Sequence, residues 1–421
     1  MRFLQKVLGA LAFTLCVATP CTADAQQAAP LMEMEQAFAR MVNEGRRAGI
    51  VWIVAKDGKV VSQGALGWQN IADRIPMSAD SRFRLYSMSR AVTSVAALRL
   101  VEQGRLDLEA PLERYLPAFA NPRVFVATPD DAEPRIEPAR RALLVRDLLT
   151  YKSGFGYAYD YPASAQLKRD EVIGLGVSTA QGIDHLAGFP LLHQPGTRWH
   201  YGFSSDVLGR VIEIVTGERL DRALQRLVFE PVGMKSSGFF TSADHLASAY
   251  GFEPGGATLV DMSARLPKSA DYLHEGRMHS GGGGLVATAA DYLAFCEMLR
   301  NAGRARGRVV LAPRTVELML TNTMAPNEGP LYWYQKSPPA VVEGGGWGLG
   351  VGLRIRDVDN GTLTSQRGEI FWGGLAGTGF FIDPQHGVSA VVMTQYVGAD
   401  IDEPALMLRR FVYAAFARGG R

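Results

Sequence analysis

Two spacings of hydrophobic residues alternate along this chain and predict different elements in different parts of it. Residues 50–55 and 60–66 are rich in β-branched side chains and flank Asp57-Gly58, a dipeptide typical of a tight hairpin turn. Further β-rich runs lie near the C-terminal end, at 350–356, 371–382 and 388–395. Strands are therefore predicted at both ends of the chain.

The helical spacing is clearest after residue 86. Apolar residues at 88, 91, 92, 95 and 98 predict a helix that starts near Ser87 and ends by Gly104. The same spacing predicts further helices at 32–47, 144–150, 207–215, 291–300, 313–321 and 404–417. The polar, proline-containing segment 121–141 is predicted to be a surface loop, and Gly281–Gly284 is predicted to be irregular.

This arrangement predicts an α/β fold. The simplest arrangement is one antiparallel sheet built from both ends of the chain, with the terminal helices packed on it. The sheet lobe would hold about 30–85 and 345–421, and a mainly helical lobe would hold about 86–344. A cleft between the lobes would collect side chains from the start of the central region and from the C-terminal strands.

The first residues have the pattern of a secretory signal peptide. Arg2 and Lys6 precede an apolar run at 7–18, and Ala23-Asp24-Ala25 offers a cleavage site. We therefore expect a signal peptide at 1–25 and an exported domain at 26–421, periplasmic or secreted, without stable membrane insertion because the apolar run is too short to span a bilayer. Only Cys296 of the three cysteines would remain, which excludes an intrachain disulfide.

Composition narrows the function classes further. Of the 421 residues, 47% are hydrophobic and 20% are charged, as in an ordinary globular protein. The formal net charge of +2 gives no reason to expect nucleic acid as a partner. Nothing in the pattern predicts an oligomeric state.

Candidate chemistry begins at Ser87. In the first turn of a helix, free backbone N–H groups and the helix dipole favour negative charge, so an alkoxide or a nearby oxyanion would be stabilised there. Arg90, three residues later, shares the helix face of Ser87. The alternative is that Ser87 only caps a buried helix. Two other segments could meet Ser87 in the cleft, the turn that contains Tyr201 and the glycine-rich stretch 372–377.

Several common sites are absent from the sequence. No G-x-S-x-G nucleophile elbow is present, which argues against an α/β-hydrolase. The seven histidines form no H-E-x-x-H motif or other ligand spacing, so neither a metal nor a cofactor is expected. The Gly281–Gly284 run lacks the G-K-[ST] of a phosphate loop.

The order of these segments resembles the serine β-lactamase/penicillin-binding-protein superfamily, in its class C-like branch, which includes β-lactamase-like carboxylesterases. The resemblance covers nearly the whole mature chain. Each matching segment is short, and their common order is what is specific. They are the 50–66 hairpin, 83–90, 146–150, 195–201, Leu208-Gly209, 281–285 and 371–377.

The resemblance implies a site. Ser87 matches the nucleophile of the family's S-x-x-K motif, and Tyr201 matches the catalytic tyrosine. Trp372-Gly373-Gly374 matches the strand triplet that borders the substrate, in the W-G-G form found among the esterases. The implied oxyanion hole is the backbone N–H of Ser87 with that of Leu375. Two such donors aimed at developing negative charge would contribute strongly to catalysis.

The chain departs from the family pattern at three positions. Arg90 replaces the motif lysine, and none of the lysines in the chain has a serine three residues before it. Arginine keeps its proton, so Arg90 could act only as a fixed positive charge, and Tyr201 would be the base. Phe203 replaces an asparagine that contacts β-lactams, and Trp372 replaces a lysine that would meet a substrate carboxylate. Both changes favour apolar esters at this substrate-binding edge.

We therefore expect an exported serine hydrolase that cleaves small carboxylic esters through an acyl-enzyme on Ser87. One alternative is an impaired or inactive relative that binds a peptidoglycan-like or other acylated ligand. A weaker alternative is a β-lactamase acting on β-lactam-like substrates.

Overall fold

Both ends of the chain meet in one sheet, as the computed structural model shows. It describes residues 22–126, 135–162, 167–174, 176–266, 272–326, 328 and 343–417. The eight strands of the sheet follow the spatial order β12-β13-β16-β17-β18-β1-β2-β3, and every neighbouring pair is antiparallel. Their bounds are β1 Gly49–Lys56, β2 Lys59–Asn70, β3 Ile75–Pro76, β12 Gly345–Trp347, β13 Gly352–Arg354, β16 Ile370–Gly374, β17 Thr378–Asp383 and β18 Val388–Met393.

The predicted α/β fold with a two-ended antiparallel sheet is confirmed. Strand β1 pairs with β18, which joins the N-terminal hairpin to the last strand of the chain. The run predicted at 371–382 is two strands, because the chain reverses at Leu375–Gly377, where Gly377 has a φ of +78°. Such a φ is accessible to glycine without a steric penalty.

Helices cover the sheet and fill the middle of the chain. The first helix, α1 Thr22–Asn43, packs on the last, α11 Glu403–Phe416. Helix α1 starts ten residues earlier than its predicted start at residue 32. The remaining helices are α2 Ser89–Glu102, α3 Val145–Leu149, α4 Arg169–Ile173, α5 Thr179–Ala187, α6 Ser204–Thr216, α7 Leu220–Leu224, α8 Glu230–Val232, α9 Ala289–Arg300 and α10 Pro313–Met319.

The signal-peptide prediction rests on residues 1–25, most of which lie outside the described residues. It stays a prediction, as do the predicted domain and lobe boundaries. Cys296 lies wholly buried in α9, as expected for an unreactive thiol. Within the described part of the chain, no helix is both long and apolar enough to cross a bilayer.

Small two-stranded sheets lie outside the main sheet, and one of them shows that the loop prediction for segment 121–141 was wrong. Segment 121–141, predicted as a loop, contains paired strands, although residues 127–134 lie outside the described residues. The pairing is compatible with the prolines because Pro122 precedes the first strand and Pro138 ends the second. The pairs are β4 Phe83–Arg84 with β9 Val286–Ala287, β5 Arg123–Val126 with β6 Arg135–Pro138, β7 Tyr250–Phe252 with β8 Leu259–Asp261, β10 Arg304–Ala305 with β11 Arg308–Val309, and β14 Val358–Asp359 with β15 Thr364–Ser365.

Helix α2 lies at the centre of the molecule and positions the site. Its residues from Ser89 to Leu98 are buried on all faces, as expected for a helix without a solvent-facing stripe. It contacts α6 and α7, and the hydroxyl of Tyr292 on α9 donates a hydrogen bond to the Met88 carbonyl at 2.9 Å. The start of this helix is therefore fixed from several sides.

Candidate active site

Ser87 lies just outside α2, in a single 3-10 turn formed by Tyr86–Met88. The α-helix itself begins at Ser89, two residues later than the predicted start. Met88 occupies the N-cap position and no side chain caps the helix, so Ser87 is not a capping residue. Ser87 is half-buried, so it stays accessible at the surface of this turn rather than enclosed in the core.

The residue before Ser87 has an unusual backbone. Tyr86 has a φ of +44°, in the left-handed region that residues with a Cβ seldom adopt. Holding such a conformation costs on the order of 1–3 kcal/mol, and the surrounding packing must maintain it. The Tyr86 ring is buried and lies edge-on to Tyr272, at a centroid distance of 6.1 Å. The direction of the Ser87 turn is thus fixed by a strained residue inside a packed cluster.

Arg90 is almost completely buried, with 1% of its surface exposed. Its Nε donates to the Tyr201 hydroxyl at 2.7 Å, its Nη1 donates to the Tyr151 hydroxyl, and its Nη2 donates to the Tyr157 hydroxyl. Burial alone would lower the pKa of Arg90, but the three tyrosines and Asp206 outweigh it and raise that pKa well above its ordinary value. Arg90 is therefore a permanent cation.

Tyr201 is the point where the predicted segments meet. Its hydroxyl oxygen accepts one hydrogen bond from Arg90 Nε and a second from Trp372 Nε1 at 3.3 Å. Its ring stacks on Tyr151 at 5.5 Å, and the Arg90 guanidinium lies 4.3 Å from its centre. Two N–H donors and a buried cation are the surroundings that stabilise negative charge on a phenol oxygen.

The strand that carries Trp372-Gly373-Gly374 packs directly beside the Ser87 turn. A Cβ on Gly374 would overlap the carbonyl oxygen of Leu85, so only glycine allows this approach. The Thr378 hydroxyl also reaches the Leu85 carbonyl, at 3.4 Å. The structure thus places the W-G-G strand against Leu85, which is two residues before Ser87 in the chain.

The two backbone groups predicted to form an oxyanion hole have a common support. Neither Ser87 N–H nor Leu375 N–H is a donor among the backbone hydrogen bonds that the described residues form outside their helices and strands. Tyr86, the residue before Ser87, and Ala376, the residue after Leu375, pack in the same small buried cluster with Tyr272. Leu375 itself is 50% exposed. One cluster therefore holds both predicted donors.

The glycine-rich loop Gly281–Gly284 is irregular, as predicted, and lies beside Asp206 and Arg90. Buried Asp206 accepts hydrogen bonds from the Ser280 hydroxyl and, at 3.2 Å, from Gly282 N–H. A Cβ on Gly282 would lie 2.5 Å from the Asp206 carboxylate and 3.2 Å from Arg90 Nη1, so the carboxylate and the guanidinium are close neighbours. Burial raises the pKa of Asp206, and the Arg90 charge opposes that shift.

Phe203 is the predicted site residue that the structure does not bring to the cleft. Its side chain is 0% exposed and packs edge-on against Tyr157 at 5.0 Å. It precedes α6 directly, and the first turn of that helix is buried. Phe203 thus supports Tyr157 from the core, and a substrate-binding role for it stays a prediction.

Sequence reasoning missed the three phenols around Arg90 as a group. Tyr157 stands in a tyrosine-rich stretch that suggests either a cleft wall or core packing, and Tyr151 gives no local signal. Asp206 could have been noticed as an acidic residue in an otherwise buried helix turn. In the described ranges, no group of three or more His, Cys, Asp or Glu side chains could hold a metal ion.

Comparison with known proteins agrees with this arrangement. A family model described as Beta-lactamase matches residues 34–413. Esterase EstB of Burkholderia gladioli is 31% identical over 411 residues, which cover 90% of this chain and 94% of EstB. Lovastatin esterase of Penicillium rubens is 29% identical over 385 residues, which cover 86% of this chain and 92% of that enzyme.

Among solved structures, EstCE1, described as a hydrolase with promiscuous acyltransferase activity, superimposes with a TM-score of 0.77 at 28% identity. The match covers 93% of this chain and 100% of EstCE1. The chain therefore belongs to the Beta-lactamase family, within the serine β-lactamase and penicillin-binding-protein superfamily, and its esterase relatives support a serine-hydrolase-like function.

Proposed function

We propose that the protein is an exported serine hydrolase that cleaves small carboxylic esters through an acyl-enzyme on Ser87. The observation that carries the proposal is the double hydrogen bond onto the Tyr201 oxygen, from Arg90 Nε and Trp372 Nε1. A tyrosine acts as a base only as its phenolate, and these two donors stabilise that form. The chain needs such a base because the motif lysine is absent.

The proposed reaction has two halves, acylation and deacylation of Ser87, and the same groups act in both. Tyr201 enters the cycle as the phenolate; Ser87 Oγ attacks the ester carbonyl carbon, and its proton passes to the Tyr201 oxygen, which becomes the neutral phenol. The carbonyl oxygen becomes an oxyanion, which the N–H groups of Ser87 and Leu375 bind. The bond to the alcohol then breaks, and Tyr201 returns the proton to the departing alkoxide. Water repeats the sequence on the acyl-enzyme and releases the acid and free Ser87.

Arg90 supplies charge in this scheme and carries no proton. A guanidinium does not release its proton in a protein, so it cannot replace a lysine that shuttles protons. Its role is to hold positive charge against the Tyr201 oxygen throughout the cycle. Rate then depends on Tyr201 as the one general base, a contribution typically worth about 10²–10⁴-fold.

The substrate preference follows from the side chains at the cleft edge. Trp372, which is buried, replaces the family lysine that would meet the carboxylate of a β-lactam, and exposed Leu375 adds apolar surface beside Ser87. Neutral esters with apolar acyl groups therefore fit better than charged β-lactams. The esterase relatives EstB and lovastatin esterase support this preference.

The second candidate is a relative that binds an acylated ligand without turning it over. Arg90 favours this candidate, because its guanidinium is buried and bonded to three phenols, as in a purely structural cluster. The two candidates differ in whether Ser87 reacts.

The proposal is tested by initial rates on p-nitrophenyl butyrate and on nitrocefin, with Ser87→Ala and Tyr201→Phe as comparison variants. We expect wild type to hydrolyse the ester far faster than the β-lactam. Ser87→Ala should lose this activity, and Tyr201→Phe should lower kcat by about 10²–10⁴-fold. Ester hydrolysis that survives in Ser87→Ala, or a wild type that hydrolyses neither compound, would overturn the proposal.

A further inference from the structure

Arg90 presents each of its three nitrogen atoms to a different tyrosine. Nε faces Tyr201, Nη1 faces Tyr151 and the Gly202 carbonyl at 3.3 Å, and Nη2 faces Tyr157. A guanidinium is a planar fork with five N–H donors, so bonds at two corners fix the direction of the third. With 1% of its surface exposed, Arg90 has little water to take over any of these bonds.

We infer that Tyr151 and Tyr157 are positioning residues for the reaction: they hold the two terminal nitrogens of Arg90 so that Nε is aimed at the Tyr201 oxygen. The inference rests on the proposed function, in which Tyr201 is the base. It assigns to the arginine form of the motif a requirement for two further hydroxyls that a lysine would not need.

Tyr151 is itself held firmly. Its hydroxyl exchanges a hydrogen bond with Ser205 on α6 at 2.7 Å, and its ring lies against Trp347 at 4.8 Å. Its backbone has a φ of +58°, so the loop around it adopts a specific, costly turn. Burial raises the pKa of this phenol although Arg90 acts to lower it, which keeps the hydroxyl protonated and neutral.

Tyr157 forms the other support, from a different loop. Its ring is edge-on to Tyr201 at 5.8 Å and to Phe203, and its backbone N–H donates to the Asp160 carboxylate at 2.7 Å. Burial raises the pKa of this phenol as well, again against the opposing effect of Arg90. Both supporting phenols therefore stay protonated and act on Arg90 as hydrogen-bond acceptors.

This geometry reverses the simplest expectation for the motif. Restoring the family residue with Arg90→Lys would place one compact ammonium where a three-cornered fork now reaches three hydroxyls. Two of the three phenols would then lose their donor inside the protein. Asp206, the nearby carboxylate, would keep a cationic neighbour, so the loss would come from geometry rather than from net charge.

The test is a double-mutant cycle between position 90 and each supporting tyrosine, read as kcat and KM on p-nitrophenyl butyrate. Tyr157→Phe and Tyr151→Phe should each lower kcat about tenfold with KM nearly unchanged, since a hydrogen bond to a charged group is lost. Arg90→Lys should lower kcat by at least as much. In the Arg90→Lys background, the two Phe substitutions should cost under about twofold, because the effects are coupled.

The matched control is Tyr159→Phe, a tyrosine on the same loop that is 56% exposed and should retain wild-type kcat. The melting temperature of each variant separates folding defects from misalignment, and if Tyr151→Phe does not fold, Tyr157→Phe carries the test alone. Wild-type kcat in the Tyr157→Phe variant, or losses that multiply independently with Arg90→Lys, would overturn the inference. A wild type without ester hydrolysis would instead overturn the proposed function.

Discussion

Single residues decide whether the Ser87 turn and the W-G-G strand can meet. Gly374 is such a position, because a Cβ there would overlap both the Leu85 carbonyl oxygen and the Thr378 hydroxyl. Leu85 is two residues from Ser87, and Leu375 directly follows Gly374. A small displacement here therefore moves both predicted oxyanion donors relative to each other.

Gly374→Ala should lower kcat on p-nitrophenyl butyrate by about 10²-fold, which corresponds to a displaced oxyanion donor. The added methyl group overlaps backbone atoms, which cannot move aside as a flexible side chain would. The matched control is Gly276→Ala, whose added methyl group would meet nothing within 4 Å. Equal kcat values for Gly374→Ala and Gly276→Ala would contradict this description of the contact.

Two loops act as one element around Arg90. Backbone hydrogen bonds join Leu192 N–H to Gly154 O at 2.8 Å, Gly196 N–H to Lys152 O at 2.7 Å, and His200 N–H to Tyr151 O at 2.8 Å. This pairing aligns Tyr151 with Tyr201, which directly follows His200. The position of Tyr201, the candidate base, therefore depends on the loop from 188 to 201 staying folded.

His193 makes that loop sensitive to acid. Burial lowers its pKa from 6.5 to about 4, an effect that the hydrogen bond to the Gln194 carbonyl opposes and that Arg198 and His200 increase. The unfolded chain thus takes up this proton first as pH falls. The stability contributed by neutral His193 is complete above about pH 6.5 and declines as pH falls toward 4.

We expect the free energy of unfolding of wild type to fall between pH 7 and pH 4.5, and part of that fall, up to about 3 kcal/mol, to disappear in His193→Gln. Urea titrations at several pH values measure it. His245→Gln, at an exposed histidine, is the control and should follow the wild-type curve. Parallel curves for wild type and His193→Gln would contradict the assignment.

The whole molecule joins its two ends in one sheet, and this much was predictable from sequence. The β-branched runs at both ends and the helical periods between them are local patterns, and they predicted the fold class correctly. The C-terminal helix α11 is bonded to the residue just before β16 through the buried carboxylate of Glu369. This carboxylate accepts hydrogen bonds from Arg409 Nε at 3.0 Å and from Tyr413 Oη at 2.8 Å.

The candidate site was predictable only where a motif carried it. Ser87, Arg90, Tyr201 and the W-G-G strand stand in recognisable local contexts. In the structure, Arg90 and Trp372 donate to Tyr201, and the W-G-G strand packs beside the Ser87 turn. Tyr151 gave no such signal, and the tyrosine-rich stretch around Tyr157 did not distinguish a cleft wall from core packing, because both contacts with Arg90 join residues more than 60 positions apart. The burial of Phe203 was not predictable either, because residue type alone does not show that the start of α6 faces the core.

The most direct test of the central claim is the intact mass of the purified protein after incubation with a fluorophosphonate, beside Ser87→Ala. A nucleophilic Ser87 forms a stable phosphonyl ester, because the tetrahedral phosphorus resembles the intermediate that the oxyanion hole binds. We predict one added phosphonyl group on wild type and none on Ser87→Ala. An unlabelled wild type, or equal labelling of both proteins, would contradict an acyl-transfer mechanism at Ser87.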